Sequence, residues 1–491
     1  MNKPGNIMRF LTSLVLITML GGLLAACGGQ ATPTTGTGAA GEATATTAAP
    51  PAAEATATTP PAAAEATPTT AAAAEPTTGA GGAAEISDQY SGTTLNMVGA
   101  NHAWNDAIQP LIPEFESASG IKINLTSYGE DQLSNQLTVR FTSGAGDIDM
   151  MMFRPLQEGK LFGNNGWLAD LTSYTGAAGD WDWEDFQEPA RGTVTFDGKA
   201  YGVPIVTERE ILYYRKDLFE EKNIEVPETL DELMAAAEAL HDPNANPPMY
   251  GFVARGQRAP AVTQFSGFLY AFGADWIVDG KSGIGTPEAI QAYQFYGDIL
   301  RNYGAPGVLN MSWPQALGIF SQGQAAMYTD ADSLYPNLLD PSKSVVADKV
   351  GYAMFPAGPA GSAPYNVTSW ALGVAEGSQN KDAAWEFVKW ATSKDVVMRL
   401  QKGGLPGARS SVWDSPEGIE GFPPDLAEVI IKSAAVGTDH DRPLVVRVGQ
   451  ARDIVGGPIV AAIEGQDVAA AAKQADTEFN AFLETDATAQ P

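Results

Sequence analysis

The chain has a single cysteine, three histidines and half as many basic as acidic residues. Its 29 Lys and Arg against 58 Asp and Glu give a formal charge of −29. One cysteine allows no intramolecular disulfide, so the fold must be held by its core. His102, His241 and His440 are far apart, and without HExxH or CxxC they offer no metal-ligand spacing. So negative a charge argues against nucleic acid and against adsorption to anionic lipid, since both need clustered Lys and Arg. After Leu24 no run of eighteen apolar residues occurs, so nothing later reads as a membrane span. A GxSxG elbow is also missing. Gly280-Lys281-Ser282 imitates the end of a P-loop, but Asp275 stands where glycine is needed, and the segment reads as a turn between Ile277-Val278 and Ile284. The acidic run Asp180 to Asp185 imitates a calcium loop, yet Asp185 and Arg191 hold the positions of its glycine and its bidentate Glu. It reads as a solvated helix start. No metal and no cofactor are expected.

What is present starts with Cys27 itself. Lys3 and Arg9 precede an apolar run from Phe10 to Leu24, and small residues lead to the cysteine in Leu24-Ala25-Ala26-Cys27. A cationic start, a short apolar stretch and small residues describe a secretory signal peptide, residues 1–26. Its ending resembles the lipobox of bacterial lipoproteins, which implies lipidation of Cys27 and an anchor of buried methylenes on the outer face of the cell membrane. From Gly28 to Glu85 there is no aromatic residue, no Leu, Ile, Val or Met, and no Lys or Arg. Such a segment has nothing to bury, so residues 27–91 read as a disordered tether with a root-mean-square reach of about 45 Å.

The remaining stretch, Thr93 to Leu483, is roughly 400 residues, more than one core usually holds, so two lobes are expected. Apolar runs alternate with amphipathic stretches, the signature of an α/β fold. Thr94 to Gly99, Ile121 to Ser127 and Ile148 to Phe153 read as strands, with helices over Asp106 to Ser117 and Gln132 to Thr142. This order suggests a doubly wound sheet with ligands beyond the carboxyl ends of its strands. Thr229 with Glu232 forms a capping box, and Thr286-Pro287 places a cap and an N1 proline. Tyr213 and Tyr214 read as alternating across a strand. Further helices are expected around Ala384 to Ala391 and from Lys394 to Gly403.

One set of segments carries a family likeness. Gly198-Lys199-Ala200-Tyr201-Gly202-Val203-Pro204 is followed by Leu212-Tyr213-Tyr214-Arg215-Lys216-Asp217-Leu218-Phe219 and by Pro227-Glu228-Thr229-Leu230-Asp231-Glu232-Leu233. Later come Phe320-Ser321-Gln322-Gly323-Gln324-Ala325-Ala326-Met327 and Ser378-Gln379-Asn380-Lys381-Asp382-Ala383-Ala384-Trp385-Glu386-Phe387. In order and spacing these resemble family 1 of the extracellular solute-binding proteins, the maltose-binding-like receptors of ABC importers. Tyr250 to Arg258, Asp340 to Ser344 and Gly351 to Pro359 resemble its sugar and sugar-alcohol branch. The resemblance implies a two-lobed type II periplasmic-binding fold with a hinge of crossing strands near Ile205 to Glu208, Thr329 to Asp332 and Trp370 to Val374. One lobe is expected to hold 92–205 with 332–370, the other 208–328 with 374–485. It also implies a monomer that captures a sugar or polyol and delivers it to an ABC permease.

A polyhydroxylated ligand needs forked polar groups for its hydroxyls and aromatics for its C–H faces. Strand ends and crossovers nominate Asn101, Trp104, Arg154, Glu208, Asp330, Asp332 and Trp370, and the family pattern adds Arg409. Arg255 and Arg258 read as residues of a solvated loop. The competing reading is a secreted carbohydrate-active enzyme using two cleft carboxylates.

Overall fold

The computed structural model describes residues 86–486; Cys27, the signal segment and residues 28–85 lie outside the described residues. Three strands come first, β1 (Thr94–Ala100), β2 (Lys122–Tyr128) and β3 (Met150–Phe153). β1 pairs in parallel with both β2 and β3. Parallel neighbours need crossover helices, here Ile112–Ser119 and Glu130–Thr142. All four residues of β3 are buried, as befits a strand covered on both faces. The expected order of strand, helix, strand, helix, strand is therefore present.

Next comes the longest strand, β4 (Val203–Arg215), then β5 (Tyr250–Val253), β6 (Ala325–Ala331), β7 (Val350–Met354) and β8 (Asn366–Val374). They join the first three in one eight-stranded sheet of order β2-β1-β3-β8-β4-β6-β5, with β7 also on β4. β4 divides its pairing along its length. Val203 to Arg209 lie antiparallel to β8, whereas Glu210 to Tyr214 pair with β6 and Ile211 to Arg215 with β7. Tyr213 and Tyr214 sit in this second half, as their alternation suggested.

Two hydrophobic cores flank this strand. The first joins residues between Leu95 and Val206 to residues between Trp370 and Ala408. The second joins residues between Ile211 and Phe355 to residues between Trp413 and Phe482. This differs from the expected lobes in two segments. Tyr335, Leu338, Val350 and Phe355 pack in the second core, not the first, and Ala384, Trp385, Val388 and Leu400 pack in the first, not the second. The reason is strand pairing. β6 lies between β5 and the second half of β4, both of the second core, so the chain does not cross at Thr329 to Asp332. It crosses along β4, returns along β8, and passes back after Ala408.

Local signals hold where side chains decide them. The Thr229 hydroxyl accepts the Glu232 N–H at 3.2 Å while the Glu232 carboxylate accepts the Thr229 N–H at 3.1 Å, capping Leu230–Leu240. Thr286 caps Pro287–Tyr303. Lys394–Lys402 ends at Gly403, and Gly404 then takes φ +88°, where a Cβ would also lie 2.1 Å from the Tyr335 hydroxyl oxygen.

The middle of β4 carries a buried ion pair. Arg209 Nη1 lies 3.0 Å from Asp332 Oδ2, and the Arg209 N–H donates to Oδ1 at 3.1 Å, with both side chains 0% exposed. Burial pushes the Asp332 carboxyl up, and Arg209 opposes that shift. Removing one partner of such a pair strands the other charge. Asp332→Asn is therefore expected to cost about 3–5 kcal/mol of unfolding free energy, measured by urea denaturation.

Candidate functional site

Where β8 meets β4 the register shifts on both sides of Trp370, a bulge that turns its side chain out of the ladder. The indole is 4% exposed and belongs to the first core, with two strand-end groups beside it. The His102 ring, just after β1, sits 5.5 Å away at 49°, and the Arg154 guanidinium, just after β3, lies 5.8 Å from the ring centroid. His102 also caps the next helix, its Nδ1 accepting the Trp104 N–H at 3.0 Å. Burial pushes its pKa down to about 4, so the ring is neutral at physiological pH. Arg154 pairs with Glu158 at 2.6 Å and with Glu130 at 3.4 Å, and donates to the Ser134 hydroxyl at 2.7 Å.

The second core presents its own polar cluster. Arg255, just beyond β5, grips Asp330 of β6 through both Nε, at 2.8 Å, and Nη2. Tyr328 donates to the same carboxylate at 2.7 Å, and the Arg255 N–H donates to Gln264 Oε1 at 2.6 Å. Beside this pair on β4, Glu208 receives the Ser333 hydroxyl at 2.7 Å. Burial pushes Glu208 up to about 7, Ser333 opposes the shift, Asp332 and Asp330 add to it and Arg255 subtracts. Glu210 is pushed well above the carboxylate range by burial and by Asp330, with Arg255, the Thr329 side chain and the Gly267 backbone opposing the shift.

The two halves approach each other around a cavity of about 570 Å³, lined by Ser134, Arg154, Gln157 and Glu158 on one side and Val446 to Gln450 on the other. Gln157 Oε1 accepts from Arg442 Nη1 at 2.7 Å and from Arg452 Nη1 at 3.1 Å. Nearby, Lys160 Nζ donates to the Leu444 carbonyl at 3.0 Å, bordering a second cavity of about 670 Å³.

The structure thus brings together Trp370, Arg154 and, one residue from His102, the exposed Asn101, whose N–H donates to the Tyr128 carbonyl at 2.7 Å. Glu208 and Asp330 gather on the other side, Asp330 fully behind Arg255. Three nominated residues do not face the cleft. Trp104 is 1% exposed and packs in the first core, because the short helix Ala103–Ile108 turns its apolar side inward. Asp332 is consumed by Arg209. Arg409 is a strut: it donates to the Thr392, Trp181 and Asp182 carbonyls, pairs with Asp185 at 2.8 Å and lies 4.2 Å from the Phe186 ring. Asp185 and its neighbours form two short 3-10 turns, with the Asp185 carboxylate held by Arg409 and Ser411 instead of by solvent. His102, Arg255, Gln157, Arg442 and Arg452 were not nominated. Arg255 follows the carboxyl end of β5, so the strand-end rule does apply to it.

A profile of the bacterial extracellular solute-binding proteins matches residues 101–398, more than half of the chain. The chain belongs to that family. It is a receptor and not an enzyme, and its two-core α/β architecture is the type II periplasmic-binding fold. The erythritol/L-threitol-binding protein of Mycolicibacterium smegmatis is 27% identical over 68% of this chain and 75% of its own. The mannitol-binding protein of Pseudomonas aeruginosa is 30% identical over 66% of this chain and 73% of its own. Among solved structures, an ABC transporter solute-binding protein from Agrobacterium radiobacter K84 in complex with ribitol superposes with a TM-score of 0.71, at 26% identity, covering 80% of this chain and 99% of that one.

The shifted Glu208 makes a pH prediction. A folded pKa near 7 against an ordinary 4.5 means the folded state holds the proton more tightly. Its contribution is fully present below about pH 4.5 and is lost as pH rises through 7. Glu208→Gln is expected to match the parent near pH 4.5 and to exceed it in urea midpoint at pH 8.

Proposed function

We propose that this receptor captures a sugar or sugar alcohol outside the cell and delivers it to an ABC permease. The observation that carries the reading is the cavity between the two halves, bordered by Arg154, whose guanidinium lies 5.8 Å from the Trp370 ring. An indole supplies a surface for C–H faces, and forked or ring donors on either side suit vicinal hydroxyls. Asn101, Arg154, Glu208 and Trp370 would contact the ligand, and Asp330 would act through Arg255. Relatives whose names state erythritol, L-threitol or mannitol binding, and a neighbour holding ribitol, support the substrate class. Isothermal titration against mannitol, ribitol, erythritol and maltose is expected to give saturable binding to at least one. Silence across that panel with saturable binding to peptides would overturn the class.

The address rests on sequence. With a lipidated Cys27 and a tether of about 45 Å reach, the receptor would hang from the membrane while its lobes work as a monomer. Cys27→Ser is expected to release the protein into the medium with unchanged ligand affinity, checked by fractionation and titration. Retention in the membrane fraction would instead assign the anchor to the apolar segment.

A further inference from the structure

The cleft holds two guanidinium groups that share their acceptors. Arg442 and Arg452 each send Nη1 to Gln157 Oε1, at 2.7 and 3.1 Å, and each send Nη2 to Thr263 Oγ1, at 3.2 and 3.3 Å. Two like charges therefore stand side by side over one hydroxyl and one amide oxygen. Arg442 is neutralised by Asp441, which it grips through both Nε, at 2.6 Å, and Nη2. Arg452 has no such partner. Its three hydrogen bonds go to neutral oxygens, the third being the Ala259 carbonyl at 2.9 Å, and among the described residues no carboxylate is within ion-pair distance of it. The three groups sum to one uncompensated positive charge.

Two other arginines of the cleft have carboxylate partners of their own. Arg255 is held by Asp330, and Arg154 by Glu158 and Glu130. Burial lowers the Arg452 pKa well below its usual value, Arg442 adds to the shift, and Asp441 opposes it. A guanidinium half-buried at the contact between the two halves, without a counter-charge, is costly to keep unless something anionic arrives. The amide oxygen of Gln157 marks where such a group would sit. It comes from the opposite side of the cleft, and two cationic donors converge on it. A planar oxygen fork carrying one negative charge fits both the geometry and the deficit. A phosphate dianion exceeds the deficit.

We infer that Arg442 and Arg452, over Thr263, form an anion subsite of the cleft that takes the carboxylate of a polyhydroxylated acid. The inference rests on the polyol reading above and narrows it: the ligand is a sugar acid of the aldonic or uronic kind, with its hydroxyls toward Trp370 and its carboxylate displacing Gln157 from the two arginines.

The test uses matched pairs that differ only in one oxidised terminus, D-mannitol with D-mannonate and ribitol with D-ribonate, titrated into the full chain. A charge-assisted contact predicts the acid to bind about 10- to 100-fold tighter than its alcohol, with the ratio shrinking at high salt. Arg452→Gln is expected to bring the acid-to-alcohol ratio near one. Its urea midpoint is measured alongside, and the salt dependence of the parent stands on its own if the variant is unstable. Equal or weaker binding of both acids, with the alcohols still bound, overturns the anion subsite alone. A preference for acid that survives Arg452→Gln also overturns it, by placing the carboxylate elsewhere. No saturable binding of any of the four overturns the polyol reading as well.

Discussion

Both cores hang on one strand. Residues Val203 to Arg209 of β4 belong to the ladder with β8, and Glu210 to Arg215 belong to the ladders with β6 and β7. The chain therefore changes partners across a single peptide link. Period-two alternation places Arg209 on one face at this point and Glu208 and Glu210 on the other. Arg209 is locked by Asp332 and by the Thr207 hydroxyl at 2.9 Å, and its guanidinium lies 5.4 Å from the Trp413 ring. One face is thereby pinned by a dry ion pair, and the other carries carboxyls whose charge burial suppresses. Bending at this link changes the solvation of all four groups, which favours a few defined inter-lobe angles over a continuum.

The site inherits its arrangement from that link. Trp370 is placed by the bulge on β8 opposite Val206, two residues before Glu208. Asp330, two residues before the locked Asp332, orients Arg255. A change of angle at the strand therefore moves the indole platform and the arginine cluster toward or away from each other. Family membership gives that motion its purpose: the cleft is a place to hold a solute.

Much of this was legible in the residues. The strands β1 to β3, the Thr229 and Thr286 caps and the Gly403 stop depend on side chains within a few positions of one another, so periodicity and cap chemistry suffice. The lobe boundaries were not, because they depend on which distant strand β6 chooses as neighbour. Arg154 follows the carboxyl end of β3, where the strand-end rule looks, whereas Trp370 was nominated from a crossover and lies in mid-strand. Arg442 and Arg452 meet Gln157 across 285 and 295 residues, and no local pattern announces that meeting. Arg409 misled for a physical reason: an arginine in a Gly- and Pro-rich loop looks free, yet here it staples Trp181 to Phe186 onto the end of the helix at Thr392. The acidic run that looked solvated is the other half of that staple.

The triple passage of the chain between cores also sets the order in which it can be built. The first core needs Trp370 to Ala408 before its contacts are complete, and the second needs Phe479 and Phe482 near the end of the described residues. Neither half is a contiguous stretch that a ribosome could release and leave to fold. With no disulfide to retain partial progress, the early segments must wait, loosely collapsed, for partners made last. Such a chain suits passage through a membrane in the unfolded state, since little of it can mature before its final residues arrive.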